Sequence, residues 1–406
     1  MLRPGILLFE GCDFETFPVG GQLSMARSLL KMFGNSFALV GIATGDETVG
    51  VWREKKIDGT PYWFFPVCRR DVSAQRPLVP ARLTYYLALK RYRRRIEMLH
   101  CRYAFTQAPE ALLGVARWGF ESVCYMFPGV ENPLRISRYA LARRLCRVYE
   151  IALFSALRNA SVVLACADED AIARFVSSSR GRVSRQQIVQ IPTCVDLEQF
   201  RPAPIAEARK ALGIPADSTV FVTSGRIGKF KGWPLLLDAF AEFRRRIPES
   251  LLIFIGDGEE RPLLEGAIAA RDLQSSVRIT GFQPAAEVAR YLNAANAVAL
   301  GSYAEGWSVA MVEALACGKA IVTTPVSGTR EMIIEGRNGL IVQSRDPVEY
   351  AAAMEQALGL TDAPRWSTPI ADQYSLHRIR ERLRELWTPL KAVREWDGGA
   401  ARGAKG

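Results

Sequence analysis

Histidine is nearly missing from this chain: two occur in 406 residues, His100 and His377. Neither belongs to a supporting set of ligands or has an obvious base role, so neither a histidine-based metal site nor a histidine base is expected. His377 sits among arginines and reads as structural. Long apolar runs are missing too. No stretch approaches 18 uncharged apolar residues, so no transmembrane helix is expected. The run Ile6–Phe9 is short and Glu10 follows at once, which reads as a first buried strand and not as a signal peptide. The eight cysteines lie scattered from Cys12 to Cys317 with no Cys-x-x-Cys pair. That predicts reduced thiols in a cytosol, without bridges or a zinc site.

Acidic residues are also in short supply. The 53 basic residues outnumber the 42 acidic ones and leave a net charge of +11. Residues 1–200 hold 27 Lys and Arg against 18 Asp and Glu, whereas residues 201–406 hold 26 against 24. Two segments account for most of the excess. Arg82–Arg102 carries Lys90, Arg91, Arg93, Arg94 and Arg95 against Glu97 alone. Arg135–Arg147 carries Arg138, Arg143 and Arg144 with no acid. Both also contain Leu, Tyr and Ile and read as amphipathic basic helices. An anionic membrane surface attracts such helices by about 1 kcal/mol per nearby basic residue. A solvated basic face is the other reading. No nucleic-acid motif accompanies the charge, so no nucleic-acid partner is expected.

At this length, with 49% hydrophobic residues, two domains are expected. Strand-like runs (Ile6–Phe9, Phe37–Ala43, Trp63–Val67, Ala104–Thr106, Ser122–Phe127, Val162–Ala165, Gln187–Ile191) alternate with helical patterns over Gln22–Phe33, Arg82–Leu99, Glu110–Trp118, Ser137–Ala156 and Glu169–Val176. A second α/β series follows the linker candidate Phe200–Pro204, with strands near Val220–Thr223, Leu251–Ile255, Val277–Ile279, Ala297–Leu300 and Ala320–Val322. Such alternation predicts parallel sheets covered on both faces. The expected limits are a first domain over 1–200, a second over 201–374, a last helix over 375–396 crossing back to the first domain, and a disordered tail over 397–406. Asp168-Glu169-Asp170 could suggest a metal site, but it follows a strand and opens a helix, so capping is the expected role.

Chemistry is concentrated in the second half. Glu305 and Glu313 stand eight positions apart. Glu305 lies in a loop after the strand Ala297–Leu300, and Glu313 roughly two turns into the following helix. The helix N-terminus between them offers unpaired N–H groups to an anion. A second cluster follows Val220–Thr223. There Arg226 can grip phosphate oxygens as a fork, Lys231 adds a point charge, and a helix starts at Trp233-Pro234. Each motif sits beyond the carboxyl end of a strand, where open α/β sheets bind ligands.

These residues together resemble the retaining glycosyltransferase family 4, of the GT-B fold. The resemblance takes in the Gly20-Gly21 loop, Ile191–Asp196 with Phe200 and Pro202, Arg226 with Lys231, Gly281-Phe282, Glu305 to Glu313, and Thr323–Pro325 with Gly328 and Glu331. It implies two Rossmann-like doubly wound domains facing a central cleft. It implies that Arg226 and Lys231 neutralise the diphosphate of a nucleotide-sugar donor, that Glu313 binds the ribose hydroxyls, and that Glu305 holds the transferred sugar. By the same resemblance Gly306, Trp307, Ser308 and Val309 offer backbone N–H groups to sugar and phosphates, Phe282 meets the base beside Gly281, and Gly21 belongs to the donor-binding set.

The implied reaction moves a hexose from a UDP- or GDP-sugar to a hydroxyl acceptor with retention, the leaving phosphate taking the acceptor proton. No metal or other cofactor is expected. The basic helices fit a lipid-linked saccharide acceptor in cell-surface polysaccharide synthesis, and a cytoplasmic protein peripheral to the membrane. One departure stands out. Many members have a histidine after the strand that here ends at Phe127, and this chain reads Pro128-Gly129-Val130-Glu131-Asn132. Two other readings remain open on the same fold, a nucleotide-sugar 2-epimerase and a non-catalytic nucleotide-sugar-binding partner protein.

Overall fold

The computed structural model describes residues 5–18, 20–70, 79–127, 134 and 143–391. The chain forms two units, Met1–Ile191 with Arg380–Gly406, and Pro192–Ile379.

The first unit is built on an eight-stranded sheet in the order β3-β4-β2-β1-β5-β6-β7-β8. Its strands are β1 (Ile6–Phe9), β2 (Phe37–Ala43), β3 (Arg53–Ile57), β4 (Thr60–Arg69), β5 (Tyr103–Thr106), β6 (Ser122–Phe127), β7 (Val162–Ala165) and β8 (Ile188–Gln190). β1 runs parallel between β2 and β5, with Leu7 opposite both Ala38 and Ala104. Its four residues are fully buried and apolar, as a strand covered on both faces requires. One pair departs from the parallel pattern. β3 and β4 form an antiparallel hairpin, unforeseen in the sequence, closed by Asp58 and Gly59 at φ 47° and 79°. Asp-Gly suits that turn because both residues must adopt left-handed backbone. β3 is Arg-Glu-Lys-Lys-Ile with its outer residues exposed, a charged edge that resists pairing with other chains.

The helix Ala81–Glu97 buries Tyr85, Leu89 and Ile96 and leaves Leu83 and Leu87 exposed. Its arginines are not equivalent. Arg93 pairs with Glu97 and lies over Trp118, and Arg95 donates to Gly50 O. The helix Cys146–Leu157 exposes Val148 and Ile151, with Leu145 exposed just before it. The expected basic segment Arg135–Arg147 lies mostly outside the described residues, as do Pro128–Asn132 and the tail over 397–406. The last helix spans Leu376–Leu386, and a 3-10 turn covers Thr388–Leu390, in place of one continuous helix over 375–396, whose residues 392–396 lie outside the described residues. Between them the Trp387 indole donates to Ser122 Oγ at 2.8 Å and packs against Tyr103 and Phe105. Among the described residues no helix is long and apolar enough to cross a membrane.

The second unit has a six-stranded parallel sheet in the order β11-β10-β9-β12-β13-β14. Its strands are β9 (Thr219–Ser224), β10 (Ser250–Ile255), β11 (Val277–Ile279), β12 (Ala297–Leu300), β13 (Ala320–Thr323) and β14 (Gly339–Ile341). The direction of progress along the sheet reverses between β9 and β12, which makes that junction the topological switch point. A helix over Ile205–Leu212, unforeseen in the sequence, precedes β9 and packs against the helix Ala285–Ala294.

Candidate active site

The loops after β9 and β12 meet at the switch point, and glycines let them. Gly232 has φ 65°, and a Cβ there would sit 1.8 Å from Gly301 O. Only glycine fits both the backbone and the space. Tyr303 N donates to Phe230 O at 2.8 Å across the same junction. On the other side of β9, Gly256 has φ 144° and its missing Cβ would lie 2.0 Å from Gly225 O. There Gly225 N donates to Ile255 O and Ile227 N to Asp257 O.

These contacts bring three expected residues to one cavity, lined by Ser224, Gly225, Arg226, Lys231, Ser302 and Glu305 among others. Lys231 Nζ lies 2.5 Å from Glu305 Oε1, and Ser302 Oγ donates to the same oxygen at 2.6 Å. Arg226 pairs with Glu259 at 2.7 Å, with both side chains exposed. An exposed pair of this kind contributes little, about 0–1 kcal/mol, so the guanidinium can leave it for a ligand. The helix Trp233–Arg244 starts from Gly232 with Pro234 in its first turn and no acidic residue there, so its N-terminal N–H groups stay available beside Lys231.

Ser308 caps the helix Val309–Ala316, its Oγ accepting from Met311 N. Glu313 is the fifth residue of that helix. It therefore stands little more than one turn from the cap, not the two turns expected, because Gly306, Trp307 and Ser308 belong to the loop. Burial pushes the Glu313 carboxyl up to about 8, and the positive charge of Lys231 pulls part of the way back. Its surface is partly open. Trp307 is buried against Gly328 and Tyr374, and its indole N–H has no hydrogen-bond partner among the described residues.

Gly281, at φ 70°, bridges to Gly256, and Phe282 beyond it is exposed. Gly21 opens the helix Gly21–Phe33 in the first unit. Sequence reasoning missed Ser302, Glu259 and Arg345. Arg345 donates to Gly301 O at 2.6 Å and to Ser302 O at 3.3 Å, and lies 3.5 Å from the Tyr303 ring. It pins the loop that carries Glu305 from far along the chain, where no local pattern signals it. Asp168 caps the helix Glu169–Ser178 by accepting from Ala171 N, and Glu169 pairs with Arg185. Among the described residues no group of three or more His, Cys, Asp or Glu is placed to hold a metal ion.

Comparison with known proteins places this geometry among relatives. Residues 204–365 match the family described as Glycosyl transferases group 1. The chain is 36% identical over 186 residues to a D-inositol 3-phosphate glycosyltransferase of Frankia alni, a match covering 44% of this chain and 45% of the relative. It is 32% identical over 213 residues to D-inositol 3-phosphate glycosyltransferase 2 of Catenulispora acidiphila, covering 50% and 48%. The matches thus span about half the length of these relatives. Among solved structures, sucrose-phosphate synthase from Thermosynechococcus elongatus superposes with TM-score 0.76 at 19% identity, covering 97% of this chain and 100% of that one. Anabaena HepE, solved with UDP and glucose, superposes with TM-score 0.70 at 20% identity, covering 94% and 98%. At such identities the likeness shows the fold, which is GT-B.

Proposed function

We propose that this chain, whose residues 204–365 match the group 1 glycosyl transferases, moves a hexose from a UDP- or GDP-sugar to a hydroxyl acceptor. The observation that carries the reading is the meeting of Arg226, Lys231 and Glu305 in one cavity at the β9/β12 switch point. The names of the relatives, and the UDP and glucose in HepE, support a nucleotide-sugar donor.

Cleavage of the bond between anomeric carbon and phosphate builds positive charge on the sugar and negative charge on the departing diphosphate. Lys231 and Arg226 take that negative charge, together with the N-terminal N–H groups that follow Gly232. One such donor is commonly worth about 3–4 kcal/mol of barrier. No metal enters this scheme. Lys231 must exchange Glu305 for phosphate, which frees the Glu305 carboxylate for the sugar. Glu313 takes the ribose hydroxyls. Retention, with the leaving phosphate accepting the acceptor proton, follows the family pattern.

The acceptor in this reading is a lipid-linked saccharide of a cell-surface polysaccharide pathway, met by a cytoplasmic protein resting on the membrane. Support comes from the exposed Leu83 and Leu87 set among Lys90, Arg91 and Arg94, and from the exposed Val148 and Ile151 beside Arg147. Release of free UDP or GDP from a donor mixture, with and without lipid-linked acceptors, tests the whole. Acceptor-dependent release is the expected result. A sugar epimerised without nucleotide release would establish the 2-epimerase instead, and binding without turnover the non-catalytic partner.

A further inference from the structure

Arg345 follows β14 and precedes the helix Pro347–Ala357, so it belongs to neither of the loops that carry Lys231 and Glu305. Its half-buried guanidinium nevertheless sits where those loops meet. Nη2 donates to Gly301 O at 2.6 Å and Nη1 to Ser302 O at 3.3 Å. The guanidinium carbon lies 3.5 Å from the centre of the Tyr303 ring. A Cβ on Gly232 would stand 2.6 Å from the same Nη2, so the arginine also backs the glycine that follows Lys231. One planar fork thus touches three consecutive residues of one loop and the closing glycine of the other.

Neighbouring groups give this contact its weight. The Tyr350 hydroxyl, from the same segment, donates to Leu300 O at 3.1 Å. Three successive carbonyls at the exit of β12 are therefore received by two side chains of one segment. Ser302 O has a second donor, Thr324 Oγ1 at 2.6 Å, so Gly301 O is the carbonyl that depends on Arg345. Among the described residues no carboxylate pairs with the guanidinium, and its Nε is buried without a partner. An unpaired buried donor is costly, so the carbonyls and the ring hold this side chain inward against that cost.

The Lys231–Glu305 ion pair is a further tie between the loops. The proposed reaction dissolves it, because Lys231 goes to the diphosphate. Glu305 then needs another restraint if its carboxylate is to meet the sugar. Ser302 Oγ donates to Glu305, and the Arg345 fork holds the backbone on both sides of Ser302 N. We propose that Arg345 is a positioning residue for sugar transfer: it keeps Ser302 and Glu305 in register with Gly232 once Lys231 has changed partner. The assignment rests on the glycosyltransferase reading above and adds to it a residue outside both loops.

The test measures release of UDP from UDP-glucose and of GDP from GDP-mannose by the full chain, and hydrogen exchange at the Tyr303 amide with UDP or GDP bound. Arg345→Met is expected to lower kcat by about tenfold to a hundredfold, the scale of a small misplacement at a reacting centre, with KM changed less than about threefold. In the Glu305→Gln background the same change is expected to lower kcat by less than about twofold, because Arg345 acts through Glu305. Arg345→Lys is expected to fail like Arg345→Met, since one ammonium does not span both carbonyls and support the ring. It also carries the test if Arg345→Met does not fold. Exchange at the Tyr303 amide, which donates to Phe230 O, is expected to quicken about tenfold in both variants. Full turnover in either Arg345 variant, unchanged exchange, or an equal loss with and without the Glu305 carboxylate overturns the proposal. Faster exchange in variants of a chain that releases nucleotide from neither donor counts against the glycosyltransferase reading and for the tie between the loops.

Discussion

Lys231 Nζ and Glu305 Oε1 lie 2.5 Å apart, so the cation expected to meet a diphosphate is neutralised by the carboxylate expected to meet a sugar. In the proposed reaction donor binding then begins with a change of partner. Lys231→Ala is expected to lower nucleotide release at least a hundredfold without changing the circular dichroism spectrum. Normal turnover in the purified variant would remove Lys231 from the mechanism.

The same pair predicts opposite effects on binding and rate for Glu305→Gln. The neutral amide no longer competes for Lys231, so nucleotide diphosphate affinity should rise by about twofold to fivefold, within the usual strength of such a charge pair. Turnover should fall at least tenfold because the sugar loses its carboxylate. Calorimetry and steady-state rates check the two halves. A parallel loss of both would mean that the ion pair only braces the loop.

Two buried carboxyls give the fold a pH dependence. Glu10 is fully buried, accepts from Gln22 Nε2 and Gln107 N, and is pushed by burial up to about 8. A folded-state value above the unfolded one binds protons preferentially in the native state. Its contribution is complete below the unfolded value and is lost as pH rises through about 8. Thermal stability should therefore decline from pH 6 to pH 9, by about 2–3 kcal/mol from this group. Glu10→Gln should flatten much of the decline; Glu313 adds to the slope, and Lys319, which burial pulls down to about 8, opposes it. An unchanged slope in the variant would show that Glu10 ionises normally.

Gly256→Ala places a methyl 2.0 Å from Gly225 O at a backbone angle that side chains rarely adopt. The expected cost is about 1–3 kcal/mol, read as a lowered midpoint in urea, together with weaker nucleotide binding as the Gly225-Arg226 turn shifts. Retained nucleotide affinity would mean that the turn does not position Arg226.

Leu83→Glu with Leu87→Glu removes two exposed apolar side chains and adds two negative charges to a basic helix. Co-sedimentation with anionic vesicles should be lost, while donor hydrolysis in detergent-free buffer is retained. The pair is a sharper probe than Arg93–Arg95, since Arg93 and Arg95 already serve internal contacts. Persistent vesicle binding would remove this face from the membrane.

Sequence periodicity carried far in this chain where burial is complete on both faces of a strand. β1, β2 and β12 are uninterrupted apolar runs, and their positions were legible. The β3 strand was not, because its charged residues read as loop until Asp58-Gly59 is recognised as a hairpin turn. In the site, Arg226, Lys231 and Glu305 were legible as charged side chains following strands. Their supports were not. Ser302 and Arg345 act through hydrogen bonds across the fold, and the packing of Gly232 on Gly301 joins residues 69 positions apart in sequence. The depth of Glu313 in its helix depended on where Ser308 placed the cap, a boundary that polar spacing alone leaves a turn uncertain.

The contact of Gly232 with Gly301 also bears on how this chain can be altered. Two surface segments that touch backbone to backbone cannot be redesigned one at a time. A graft that imports a new lysine-bearing segment from a relative brings a curve shaped against that relative's own glutamate-bearing segment. Donor preference should thus move between homologues only when both pieces travel together, and libraries that vary a single piece would be dominated by misassembled clones.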